Sequence, residues 1–326
     1  MLTAYVPANG SLTAVPVTDL AALPQGFVWL DLVSPTEGED KIIEQALGIE
    51  IPTREEMGEI EQSSRLYIED NARYMTAAIL CGAETETPFV AAISFILAGT
   101  RLVTVRYGDP RPFTTVKHRL GKACPLSLDG ESVLIQLLDA VVDRAADVLE
   151  QIGADVERIS HNIFRRERVA RESANQRYRA ILSHIGRKEG LVSSARESLA
   201  SLQRMLSFLG TETDGVSVTK DHRASIKSMS RDVAGLSDYA AFIGDKLQFL
   251  LDATIGMVGL EQNNIIKIFA VITVVLMPPT LIGAIYGMNF KDMPELDWAL
   301  GYPMALGLML CSAIFPYLIF KWRGWL

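Results

Sequence analysis

The stretch IFAVITVVLMPPTLIGAI, Ile268 to Ile285, runs for 18 residues without a charge, and Ala299 to Phe320 is a second uncharged run of 22. At 1.5 Å per residue, each is near the ~20 residues that cross ~30 Å of hydrocarbon, so this end of the chain reads as a membrane hairpin. Lys267 precedes the first run and Lys321 and Arg323 follow the second, while the connection 287–298 carries Lys291 against Asp292, Glu295 and Asp297. The positive-inside bias places both ends in the cytoplasm and the short acidic loop outside, with Trp298, Tyr302, Trp322 and Trp325 at interface positions. Leu2 to Val17 is interrupted by Pro7, Gly10 and Pro16, so no signal peptide is expected at the N-terminus. The expected location is the plasma (inner) membrane, crossed twice.

Upstream the character changes. The 49% hydrophobic content of the 326 residues is an average over two unlike parts. Residues 1–264 hold 27 Lys and Arg against 36 Asp and Glu, and the last 62 residues hold 4 against 3. An acidic sum of −8 excludes a basic nucleic-acid binder. Cys81, Cys124 and Cys311 have neither CxxC spacing nor the density of a disulfide framework, and read as ordinary buried thiols.

The soluble part divides in two. FVWLDL (27–32), RYMTAAIL (73–80), AAISFILA (91–98) and RLVTVRY (101–107) read as strands, the last two joined as a hairpin at Gly99-Thr100. Ser34-Pro35-Thr36-Glu37 is a capping-box start for a helix through Leu47. No proline occurs from Glu131 to Met277, and Val133, Leu137, Val141, Val148, Ile152, Ile159 and Ile163 recur at helical spacing. A second helix covers Tyr178 to about Leu209, and a third starts near Lys220 and continues into the first apolar run. The fold class expected is an α+β cytosolic domain (1–130), a long helical stalk (131–264) and two C-terminal transmembrane helices (265–326) around an outer loop at 287–298.

There is no GxxxxGK[ST], HExxH, GxSxG or GxGxxG, and no His has a metal-ligating partner at useful spacing, so no enzyme and no organic cofactor are read here. His118, His161, His184 and His222 read as surface residues.

Tyr286-Gly287-Met288-Asn289 closes the first run and Met293-Pro294-Glu295-Leu296 follows in the loop. With QNNIIKIF (262–269), MPPTL (277–281), Gly301-Tyr302-Pro303 and the terminal Trp-Leu, this resembles the CorA family of magnesium transport proteins. The resemblance is close over roughly the last 80 residues and extends to the remainder only in layout. It implies a funnel-shaped homopentamer in membrane lipid that passes Mg²⁺, with Co²⁺ and Ni²⁺ as further candidates, and that is regulated by the same ion. Gly287, Met288 and Asn289 would form the selectivity filter, with Asp252, Asn263 and Thr280 lining the pore. Met277 and Phe269 would form a hydrophobic gate, and Asp232 is a weak regulatory candidate.

The chemistry of the residues agrees. Mg²⁺ is a hard ion that sheds water reluctantly, and the Asn289 amide offers neutral oxygen to its water shell. Asp252 to Asn263 is 11 residues, three turns plus ~20°, and Asn263 to Met277 is 14, four turns less ~40°, so these share one helix face that Thr280 continues. Asp292, Glu295 and Asp297 should concentrate cations at the outer mouth. Other readings of single features stay open: Gly287 and Asn289 as a helix cap, Gly283 and Gly287 as a packing pair, Phe269 and Met277 facing lipid, Pro278-Pro279 as a plain bend. The family often ends in a longer basic cluster than Lys321 and Arg323. A zinc transporter of the same superfamily is one alternative function, although Met288 and MPEL favour magnesium. Another is a membrane-anchored helical scaffold that transports nothing.

Overall fold

The computed structural model describes residues 1–8, 10–125, 127–164, 171–211, 219–288 and 293–324. Contacts group the chain into two compact units, Met1–Arg168 with Ala180–Leu251, and Val169–Arg179 with Asp252–Leu326.

The first unit opens with a hairpin, β1 (Leu2–Ala8) and β2 (Ser11–Val17), then β3 (Trp29–Val33) and helix α1 (Glu37–Leu47). In α1 the Glu39 carboxylate turns back onto the Thr36 N–H at 3.0 Å, so the capping box is Thr36–Glu39, two residues beyond the Ser34–Glu37 start read from the sequence, and Gly48 closes the helix at φ 66. Short helices α2 (Arg54–Gly58) and α3 (Gln62–Arg65) lead to β4 (Leu66–Glu69), β5 (Ala72–Cys81), β6 (Phe89–Ala98), β7 (Arg101–Arg106) and α4 (Arg111–Lys122). The sheet order is β2-β1-β3-β7-β6-β5-β4, and β3–β7 is its parallel pair.

Alternation along the central strands makes two cores. Leu30 and Leu32 lie opposite Val103 and Val105 and pack with Ile43 and Met57 on the α1–α2 side. Trp29 and Phe95 point the other way, with ring centroids 6.2 and 6.1 Å from Phe113 of α4. Strands hydrophobic on both faces are what burial between two helical layers requires.

Three long helices complete the inventory of this unit: α5 (Gly130–Phe164), α6 (Arg171–Gly210) and the start of α7 (Lys220–Tyr286). Helix α6 also protects a strand edge. β4 pairs only with Ala72–Met75, leaving the outer edge of β5 open beyond them. There Ser201 and Ser198 of α6 accept from the Ala78 and Leu80 N–H groups at 2.9 and 3.3 Å, and Arg73 donates to the Leu209 carbonyl at 3.0 Å. Exposed edges of this kind invite intermolecular pairing, and here helix hydroxyls replace a missing strand. The second unit contributes the rest of α7, a 3₁₀ turn at Pro294–Asp297 and α8 (Gly301–Trp322).

One charge cluster is buried at the centre of the sheet. Asp31 receives Arg106 through two nitrogens at 2.9 and 3.0 Å, Lys117 at 2.7 Å and the Thr104 hydroxyl at 2.9 Å. Burial pushes the Asp31 carboxyl up, but the hydrogen bonds and charge of Arg106, then of Lys117, outweigh it and hold its pKa below the ordinary carboxylate value. A depressed carboxyl contributes stability above its unfolded pKa and loses it as pH falls through the folded one. Stability against thermal unfolding should therefore fall as pH drops from about 4 downward, with Asp31 one of the contributing groups. Asp31→Asn strands two cations, should cost about 3–5 kcal/mol at neutral pH, and should flatten part of that acid limb. Differential scanning calorimetry of the two proteins between neutral and acid pH checks both.

Candidate functional site

Within the second unit, the segment of α7 from Asp252 onward has one partly covered face. Ile268, Val271, Val275, Pro278, Pro279, Ile282 and Tyr286 are buried or half-buried and recur every three or four residues. On α8 the corresponding residues are Gly301, Ala305, Met309, Ser312, Ala313, Pro316 and Phe320. The two sets form one seam, and a methyl group placed on Gly283 would lie 3.4 Å from Cε of Met309. Small residues at such contacts let helix backbones approach.

The face away from the seam carries the expected stripe. Asp252, Asn263, Met277 and Thr280 are all exposed, as is Phe269. Gly256, Asn263, Ala270, Met277 and Ala284 stand at seven-residue intervals and are exposed throughout. That interval drifts only ~20° per step, so the five make a nearly straight line. Phe269 lies ~80° around the helix from Met277 and ~120° from Asn263 but only ~20° from Thr280, so these two share one flank of the open face. Ala270 takes the place between the two polar and sulfur-bearing positions.

Two hydroxyls on this face are turned inward for their donors. Thr280 donates to the Leu276 and Met277 carbonyls at 3.0 and 2.8 Å, and Thr273 to the Phe269 carbonyl at 2.8 Å. Their oxygens keep acceptor capacity on the open side, the polarity a hydrated cation needs from its surroundings. At the helix end the Gly287 N–H bonds the Gly283 carbonyl at 3.0 Å, and a Cβ on Gly287 would come within 3.0 Å of that same oxygen. Met288 is exposed. Asn289 and Asp292 lie outside the described residues, as does the side chain of Glu295, whereas Asp297 is exposed at the end of the 3₁₀ turn.

Among the described residues no group of three or more His, Cys, Asp and Glu side chains is placed to hold an ion. Asp232 is exposed on α7 and faces an acidic row on α5: burial, then Asp139, Asp147 and Asp232, raise the pKa of Asp143. Of the thiols, only Cys81 is buried, and burial pushes it up to about 11; Cys124 is half-buried and Cys311 exposed, because α8 turns that side away from α7. His118, His161 and His184 are exposed, but His222 is half-buried and hydrogen-bonded, so reading it as a plain surface residue is corrected.

The family model of CorA-like Mg²⁺ transporter proteins matches residues 24–322. The chain belongs to that family. The magnesium transport protein CorA of Pasteurella multocida (strain Pm70) is 32% identical over 326 residues, 100% of both chains. That of Escherichia coli (strain K12) is 30% identical over 326 residues, again 100% of both. The backbone resembles the complete CorA magnesium transporter of Methanocaldococcus jannaschii with a TM-score of 0.77 at 17% identity, over 100% of this chain and 99% of that one. Full-length CmaX gives 0.66 at 14% identity, over 98% and 96%. At those identities the likenesses speak for the fold: an α/β soluble domain, a long helix and two helices long and apolar enough to cross a membrane. A CorA-like magnesium family with relatives of that name does not favour the zinc alternative.

The orientation of α7 in this CorA-like chain is testable by thiol labelling in membranes. With Cys124 and Cys311 replaced by Ser, single cysteines at Ala270, Met277 and Thr280 should react with a water-soluble thiol reagent. A cysteine at Val271, on the seam, should stay protected.

Proposed function

We propose that this CorA-like chain forms a Mg²⁺ channel of the plasma membrane whose pathway is walled by the open face of α7. Mg²⁺ transport is the activity of its family; the assembly and the residue roles are our reading. The observation that carries it is the coincidence of YGMN, at the end of α7, with an exposed line of small, polar and sulfur-bearing residues opposite the α8 seam.

One hairpin cannot surround an ion, since polar groups at bilayer depth must face protein or water. Copies of α7 around an axis solve this, and the family resemblance sets the number at five. In this arrangement the Gly287–Asn289 turn greets hydrated Mg²⁺ at the outer mouth through amide and carbonyl oxygens, leaving its octahedral water shell in place. Thr280, Asn263 and Asp252 continue the wet face inward. Met277 and Phe269 narrow it and close it by dewetting. Asp292, Glu295 and Asp297 raise the local cation concentration. A charge of two falling through 100 mV releases roughly 4.6 kcal/mol, enough to draw the ion inward without a nucleotide. Both termini are cytoplasmic, residues 1–130 and 131–264 act as cytosolic domain and stalk, and Co²⁺ and Ni²⁺ are further candidate cargo. Regulation by cytosolic Mg²⁺ at Asp252 and Asp232 would draw carboxylates from more than one copy, because the described residues of one chain offer no three-ligand set.

Flux into proteoliposomes tests the reading. Wild-type protein should take up Mg²⁺ and Asn289→Ala should take up none while still assembling; normal uptake by an assembled Asn289→Ala protein would remove the filter assignment. Neutralising Asp292, Glu295 and Asp297 together should slow uptake mainly at low ionic strength, since the Debye length shrinks from ~30 Å at 0.01 M to ~8 Å at 0.15 M. A loss of equal size at both salt concentrations would point to direct coordination instead.

A further inference from the structure

Helix α7 starts after Thr219, whose hydroxyl lies 2.8 Å from Nδ1 of His222, without the Glu or Gln that would complete a capping box. Its first turn reads Thr219-Lys220-Asp221-His222, so the position three residues after the cap, where a capping box places Glu or Gln, holds His222. The missing carboxylate comes from another helix. Oε1 of Glu131, at the start of α5, accepts from the Thr219 N–H at 3.0 Å, from the Thr219 hydroxyl at 2.9 Å and from Nδ1 of His222 at 2.6 Å. A carboxylate only accepts, so Nδ1 carries a proton, and Nε2 lies 3.5 Å from the Ser132 hydroxyl.

The start of α5 is itself fixed to the sheet. The Gly130 N–H donates to the Thr100 carbonyl in the β6–β7 turn at 2.7 Å, and Oδ1 of Asp129 caps the Ser132 N–H at 2.8 Å. A Cβ on Gly130 would fall 2.3 Å from the Leu102 nitrogen, so only glycine allows this approach. A continuous line of hydrogen bonds thus runs from the β6–β7 turn through Gly130 and Glu131 to the first turn of α7.

We propose that Glu131 is a positioning residue for transport: it supplies by tertiary contact the capping carboxylate that α7 lacks locally, and so fixes the cytosolic end of the helix that bears the ion pathway. The proposal rests on the assignment of the pathway to α7. Helix starts leave four N–H groups without intrahelical partners, and the first turn frays when no acceptor is supplied. With Glu131 removed, the first turns of α7 open and the helix loses its fixed point on the sheet.

The test separates hydrogen bonding from packing. Glu131→Met keeps the length of the side chain and removes the acceptor, whereas Glu131→Gln retains an acceptor oxygen. In the assembled full-length protein, hydrogen exchange over residues 219–226 should accelerate about tenfold in Glu131→Met and stay within about twofold of wild type in Glu131→Gln. Mg²⁺ uptake into proteoliposomes should change at least threefold in Glu131→Met and remain near wild type in Glu131→Gln. His222→Phe, which attacks the contact from the other side, should move exchange in the same direction and serves if Glu131→Met fails to assemble. Exchange and uptake in the acceptor-less variants indistinguishable from wild type would overturn the proposal, as would faster exchange with unchanged uptake. If wild-type protein takes up no Mg²⁺, the transport reading fails, and unchanged exchange in the variants would sink the anchor separately.

Discussion

Hydrocarbon offers no hydrogen bonds, and that constraint governs the carboxyl-terminal part of this protein. Each helix satisfies its own backbone, so only side chains decide which faces meet. Between α7 and α8 a small residue marks the approach: Gly283 faces Met309, where a Cβ would lie 3.4 Å from its Cε. What remains on α7 is a face with Asn263, Thr273 and Thr280; the two hydroxyls donate to carbonyls of their own helix, whereas burying the Asn263 amide in lipid without a partner would cost several kcal/mol. In the reading proposed above, this face meets water and other copies of the helix.

Much of this was legible from residue order because membrane spans and long helices advertise themselves by period and by missing charge. The boundaries of α5, α6 and α7 follow the apolar spacing, and β3, β5, β6 and β7 lie where runs of Val, Ile, Leu and aromatic residues stand. The β1–β2 hairpin was not legible. Pro7, Gly10 and Pro16 break its pattern, yet β1 is held between β2 and β3, and its strand character comes from that pairing rather than from local preference. Helix α4 was also missed, since Arg111-Pro-Phe-Thr-Thr-Val mixes β-branched residues with a proline that only its position in the first turn explains.

The site was legible to a different degree. Met277, Thr280 and Asn263 could be set broadly on one face by counting angles, and all three are exposed. Phe269 entered through family resemblance. Ala270 carries no chemical signal, so only its seven-residue spacing from Asn263 and Met277 reveals it. The Glu131–His222 contact joins residues 91 apart, and no local pattern could announce it. Its one trace in the sequence is negative: a Thr followed three residues later by His, where a self-sufficient helix start would have Glu.

That absence bears on how the soluble unit is built. The edge of β5 borrows hydroxyls from α6, α7 borrows a carboxylate from α5, and α5 borrows a carbonyl from the β6–β7 turn. An element that completes itself can form alone and can shift without penalty. An element that relies on a neighbour for its cap or its edge keeps its hydrogen bonds only in one register. The last two of these dependences run in series and tie the first turn of α7 through α5 to the sheet. Helix propensity in α7 sets how long the helix is; the borrowed acceptor sets where it starts.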